Sequence, residues 1–169
     1  MIARRGPAHA GMAPGAVSGS NAGMRRLGPV LDFMRTLWAL DHALQSASKR
    51  MEAALGVTAP QRTLVRIVGR FPGISAGEAA AILHVHPSTL TGVLKRLEGR
   101  GLVTRRADPR DGRRALLALT ARGRALDGLR KGTVEAAVRR VLRELPPGSR
   151  RSSRTLAEAL TAELERSAE

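Results

Sequence analysis

Cysteine and tyrosine are both absent from this 169-residue chain, and its aromatic residues are Phe33, Trp38 and Phe71. Without cysteine there is no disulfide, no thiolate metal site and no thiol-based redox sensor. So few aromatics argue against binders that stack single-stranded bases on aromatic platforms, and against RNA modules of the RRM type. No apolar run is long enough to cross a bilayer. The opening Met1-Ile2-Ala3-Arg4-Arg5 starts like a signal peptide, but a Gly/Pro/Ala/Ser-rich stretch follows it instead of a hydrophobic segment. The expectation is a cytoplasmic protein with no membrane partner.

Acidic residues are the other scarcity. Lys and Arg number 29 against 14 Asp and Glu, a formal net charge of +15. Such an excess favours polyanionic partners, chiefly nucleic acid. A GC-rich coding sequence would also enrich arginine at every tolerant surface position, so the location of the charge has to decide. The apolar fraction, 43%, is ample for a core.

Residues 1–24 hold many of the glycines and prolines, contain no acid and show no periodicity, and they read as a flexible basic arm. From Leu27 to Leu55 apolar residues recur every three or four positions, which predicts a long amphipathic helix stopped by Gly56. Thr58 with Gln61, and Ser75 with Glu78, are capping boxes that open a second and a third helix. Pro87 suits the first turn of a fourth helix, which runs to about Arg100 and buries Leu90, Val93, Leu94 and Leu97. Leu102–Thr104 and Ala115–Leu119 flank a charged tip broken by Pro109 and Gly112, as in a β-hairpin. Thr120 caps a further long helix ending at Pro146-Pro147, and Ser152 or Ser153 caps a last one. The predicted fold class is mainly α with one small β-hairpin.

Function concentrates between Ser75 and Thr120. Two short helices meet at the tight turn His84-Val85-His86-Pro87, as a helix-turn-helix requires. In that motif the second helix enters the major groove. Its exposed face offers Ser88, Thr89, Thr91, Gly92, Lys95 and Arg96, whose hydroxyls, methyls and cations suit base edges and phosphates. Gly92 costs roughly 1 kcal/mol of helix stability against alanine, consistent with close approach to a duplex. The hairpin tip carries Arg105, Arg106, Arg110, Arg113 and Arg114, and arginine on a narrow projecting loop suits the minor groove. Asp108 and Asp111 are expected to organise this wing by holding guanidiniums in place before DNA arrives.

The run from Leu55 to Gly123 resembles the MarR family of bacterial regulators. The matching segments are Gly56–Gln61, Thr89-Leu90-Thr91, Leu97–Val103, Arg105, Asp108–Arg114 and Leu119–Gly123. Asp108, Arg110 and Arg113 fall on the family's Asp-x-Arg-x-x-Arg wing pattern. The resemblance implies a winged helix-turn-helix homodimer on a pseudo-palindromic DNA site. It also implies repression relieved by a small anionic or phenolic effector bound between the dimerisation and DNA-binding regions. The expected organisation is an arm (1–24), a dimerisation helix (25–56), the DNA-binding domain (57–120) and C-terminal dimerisation helices (121–169). Dimerisation falls to Leu31, Met34, Trp38, Val138, Leu156, Leu160 and Leu164, because these apolar faces exceed what the small central unit could cover.

Other readings are weaker. Gly73-Ile74-Ser75-Ala76-Gly77 matches a nucleophile elbow, but a helix and not a strand precedes it, and Ser75 already has a capping role. His84 and His86 lack a third metal ligand, so no metal, no cofactor and no enzymatic activity is expected, and a turn histidine near phosphate is the better reading. The alternatives within DNA binding are an architectural protein with little sequence choice, and a regulator without an effector.

Overall fold

The computed structural model describes residues 27–111 and 114–167. The arm, residues 1–24, and Arg113 of the wing lie outside the described residues. Seven helices and two strands are seen there, in the order α1 (Gly28–Leu55), α2 (Ala59–Arg70), α3 (Ala76–Leu83), α4 (Pro87–Gly99), β1 (Val103–Ala107), β2 (Ala115–Leu119), α5 (Ala121–Gly128), α6 (Val134–Glu144) and α7 (Pro147–Arg166). This is the mainly helical architecture with one hairpin that the periodicity predicts.

The chain divides into two units between Leu37 and Trp38. The described part of the first is the opening of α1, where the Arg35 guanidinium donates to the Asp32 carboxylate at 3.0 Å. In the second unit one core gathers the helix-turn-helix. Leu64, Val65 and Val68 of α2, Ala79 and Ala80 of α3, and Leu90, Leu94 and Leu97 of α4 meet Leu102, Val103, Leu117 and Leu126. Burial of each such leucine or valine contributes about 1.5–3 kcal/mol. Val93, expected inside, is half-buried against the rim of this cluster.

Local chemistry sets the helix starts. Thr58 accepts the Gln61 N–H while the Gln61 side chain accepts the Thr58 N–H, and Ser75 and Glu78 repeat the exchange at α3. Thr120 caps α5 by accepting the Gly123 N–H at 3.0 Å and donates its own proton to the Gly101 carbonyl at 2.6 Å. That second bond fastens α5 to the turn leaving α4.

The hairpin is antiparallel, with Val103 opposite Leu119 and Ala107 opposite Ala115. A bridge between Ser75 and Leu116 adds a short third edge. The Gly73 N–H donates to the Leu117 carbonyl and the Leu117 N–H to the Ile74 carbonyl, both at 2.9 Å. These bonds anchor the wing to the segment entering α3.

Two expectations about the C-terminal part are corrected. The single helix predicted from Thr120 to Pro146 is two helices, because α5 ends at Gly128 and α6 begins at Val134. Leu129 is extended, and Gly132 adopts φ +70°, a left-handed conformation that interrupts helix and favours glycine. The last helix starts at Pro147 and not at Ser152 or Ser153, with Pro147 in its first turn, where a missing N–H costs nothing.

Candidate nucleic-acid interface

The turn between α3 and α4 is built by its two histidines. His84 closes α3 in a left-handed conformation, φ 50° and ψ 48°, and its N–H returns to the carbonyls of Ala80 and Ala81. His86 is the N-cap of α4: its Nδ1 accepts the Ser88 N–H at 3.3 Å and lies 2.7 Å from Ser88 Oγ. Among the described residues no group of three or more His, Asp or Glu side chains could hold a metal ion. Ser75, centre of the Gly-x-Ser-x-Gly match, is a nearly buried helix cap whose hydroxyl is bonded to Glu78 at 2.6 Å.

The candidate recognition face of α4 is solvent-facing. Ser88, Thr89, Thr91, Lys95 and Arg96 are exposed, and Gly92 is half-buried with open space where a Cβ would lie. Thr91 donates its hydroxyl proton to the Pro87 carbonyl at 2.9 Å. Its remaining capacity is the acceptor lone pairs of the hydroxyl and a methyl group.

The wing arginines are not equivalent. The Arg105 guanidinium pairs with Glu98 of α4 at 2.7 Å, and Arg114 with Glu78 of α3 at 3.4 Å. Both acids lie on the helix-turn-helix, so these pairs lock hairpin to helices. Sequence reasoning assigned the holding role to Asp108 and Asp111 and missed Glu98 and Glu78. The Asp108 carboxylate accepts the backbone N–H of Arg110 at 2.9 Å, and the Asp108 N–H donates to the Arg114 carbonyl. The Asp111 carbonyl accepts the Arg114 N–H. The seen bonds of Asp108 therefore shape the turn through the backbone. Lys95, Arg96, Arg106 and Arg110 have no carboxylate partner among the described residues.

Electrostatics at the base of the wing agree with this geometry. Hydrogen bonds from the Ser75 hydroxyl, then from the Ser75 N–H, lower the Glu78 pKa; desolvation opposes them more weakly, and the Arg114 charge adds the smallest lowering. Glu78 is thus ionised and available to Arg114 at neutral pH.

Away from this face, a cleft of about 600 Å³ lies between the second half of α1, the start of α2 and the end of α3. Leu44, Pro60, Leu83 and Val85 supply apolar surface, with Lys49 and Glu52 at its charged edge. The Ala59 N–H, donating to Ser48 Oγ at 2.9 Å, fixes α2 against α1 here. Another group absent from the sequence reading is Arg62 of α2, whose side chain is only 1% exposed.

Comparison with known proteins agrees with this architecture. The sequence profile of the MarR family matches residues 55–114. An HTH-type transcriptional repressor of Mycobacterium tuberculosis is 38% identical over 106 residues, covering 63% of this chain and 76% of that protein. The S. aureus MepR–DNA complex superposes with a TM-score of 0.66 at 16% identity, covering 78% of this chain and 97% of MepR. The PcaV regulator of Streptomyces coelicolor, solved with its natural ligand, gives 0.63 at 22% identity, covering 83% and 97%. The hairpin, the helix-turn-helix and these matches agree: the chain belongs to the MarR family, and is a DNA-binding transcriptional regulator and not an enzyme.

Proposed function

We propose that this protein is a repressor that binds a pseudo-palindromic operator as a homodimer and is released by a small-molecule effector. The observation that carries the DNA reading is the pairing of cations. Lys95 and Arg96 on α4, and Arg106 and Arg110 on the wing, are left without carboxylates, while the Arg105–Glu98 pair fixes the two elements to each other. In this reading Thr89 and Thr91 meet base edges in the major groove, and Arg106, Arg110 and Arg113 enter the flanking minor groove. Two copies related by a twofold axis would present two recognition helices about 34 Å apart, one turn of duplex.

The dimer reading rests on exposed apolar side chains. Leu31, Met34 and Trp38 on α1, Val138 on α6, and Leu156 and Leu164 on α7 are solvent-facing in the single chain, with Leu160 half-buried. The effector reading rests on the apolar cleft beside Leu44 and Leu83, with Lys49 and Glu52 at its edge: the Lys49 ammonium suits the carboxylate or phenolate of an aromatic anion, while Glu52 faces the Arg100 guanidinium at 3.9 Å. The names of the relatives are in keeping with the DNA and effector readings: a repressor, a DNA complex and a ligand complex.

Selection of duplexes from random-sequence DNA tests the proposal. Enrichment of an inverted repeat with half-sites one helical turn apart is expected. A shallow affinity ratio between selected and unselected duplex at fixed salt would favour the architectural alternative instead. For the effector, a panel of aromatic acids is screened by thermal shift. Compounds that stabilise the protein should release the selected duplex, and Lys49→Ala should abolish that response.

A further inference from the structure

Arg62 is the one charged side chain of the described residues that is completely enclosed, and the DNA and dimer contacts proposed above do not involve it. It sits on α2, in the core of the helix-turn-helix, yet every hydrogen bond of its side chain goes to the break between α5 and α6. Its Nε donates to the Glu135 carboxylate at 2.8 Å, in the first turn of α6. Its Nη1 donates to the Leu126 carbonyl, and its Nη2 to the carbonyls of Leu129 at 2.8 Å and Asp127 at 3.3 Å. One planar guanidinium thus caps the end of one helix and pairs with the start of the next.

That arrangement matters because the backbone does not continue through the break. Leu129 is extended and Gly132 is left-handed, so no run of helical hydrogen bonds carries the direction of α5 into α6. The direction has to be fixed by side chains. Arg66 adds a bond to the Asp127 carboxylate at 2.7 Å and to its carbonyl at 3.0 Å, and Arg130 donates to the same carbonyl at 2.6 Å. These two hold only the α5 side. Arg62 is the group that grips both sides from the DNA-binding core.

We infer that Arg62 is a positioning residue that sets the half-site spacing the regulator accepts on DNA. The inference rests on the proposed dimer, in which α6 and α7 belong to the interface between copies. If α6 is anchored in that interface and α2 in the reading head, the angle at the α5–α6 break sets the distance between the two recognition helices. A lysine cannot replace this fork: its ammonium is a point charge with three donors and no planar arrangement to span four acceptors.

The probe is the duplex selected from random DNA by the wild-type protein, remade with spacers changed by one and two base pairs in each direction. The wild type should lose at least ~10-fold in affinity per base pair of change, a penalty comparable to that of a mismatched pair. Arg62→Lys and Glu135→Ala should flatten that profile to within ~3-fold across the series, while affinity for an isolated half-site stays at the wild-type value. Glu135→Ala leaves the three carbonyl bonds of Arg62 in place, so it tests the idea even where Arg62→Lys lowers the folded fraction. Dimeric variants that retain the sharp wild-type profile would overturn the role of Arg62 and leave the dimer reading intact. A wild type that sediments as a monomer, or shows no spacing preference, would overturn the dimer reading and this inference with it.

Discussion

At the scale of single residues, the clearest constraint is steric. A Cβ built on Gly123 would lie 2.0 Å from the carbonyl oxygen of Leu102, a backbone atom that cannot swing aside. Thr120 draws α5 onto that turn through its bond to Gly101, so the helix can approach only where residue 123 has no side chain. Gly123→Ala is therefore expected to cost about 3 kcal/mol, the upper range for overpacking, read from the midpoint of urea unfolding. Gly77, with nothing within 4 Å of its would-be Cβ, should accept alanine without loss. Gly92 is open in the same way, and its alanine variant separates fold from function. Gly92→Ala should stabilise the protein by up to about 1 kcal/mol through helix propensity, yet weaken operator binding if the duplex approaches closely there. Unchanged binding in a gel shift would remove the close-approach reading. The cations make a further prediction. Alanine at Lys95, Arg96, Arg106 or Arg110 should each reduce the slope of log K against log salt by about 0.9, one released counterion. Alanine at Arg105 or Arg114 should change the slope less, since Glu98 and Glu78 already neutralise those charges.

At the scale of elements, what was legible in the sequence and what was not divides by the range of the forces involved. The starts of α2, α3 and α5 were readable because a capping residue acts within three positions of itself, and Pro87 marked α4 in the same local way. The recognition face followed from the 3.6-residue period of Leu90, Leu94 and Leu97. The break between α5 and α6 was passed over because Leu126, Leu129, Val134 and Val138 are all apolar, although the five-residue step from Leu129 to Val134 and the glycines at 128 and 132 interrupt the helical spacing there. What stabilises the break is Arg62, more than sixty residues away, satisfying carbonyls that an uninterrupted helix would have bonded itself. The pairing of Glu78 and Glu98 with wing arginines was hidden for the same reason: these partners are brought near only by the fold. The break also carries a pH prediction. Desolvation alone would raise the Glu135 pKa, but its backbone hydrogen bond together with the bond and charge of Arg62 outweigh it and leave the pKa lowered. A carboxylate whose pKa is lower in the folded state stabilises fully above its unfolded value, near 4.5, and loses that contribution as pH falls through the folded value. Stability should thus fall as the pH drops below the unfolded value near 4.5, and Glu135→Gln should lose less on the same acidification. Parallel acid titrations followed by circular dichroism would read the difference, and superimposable curves would mean the pair adds no stability.

At the scale of the whole molecule, the apolar faces left uncovered by a single chain decide what the protein must do to be stable. Trp38 is 66% exposed and Leu164 62%, and neither α6 nor α7 has one fully buried residue. Helices with apolar faces and no packing partner are marginal in water, since most helical stability in proteins comes from tertiary packing. Among the described residues the core around Leu64, Leu94 and Leu117 does not reach them. A second copy would cover such faces and, by mass action, couple folding to concentration. The melting temperature should therefore rise with protein concentration, which a monomer would not show. Replacing both Leu156 and Leu164 with aspartate should yield a monomer by analytical ultracentrifugation with its helix-turn-helix core intact. Because the second half-site then no longer binds at high effective concentration, affinity for the full operator should fall by about 10²–10⁴-fold toward that of one half-site. A monomeric variant binding the full operator as tightly as the wild type would mean that each chain reads DNA alone, and the long helices would need another purpose.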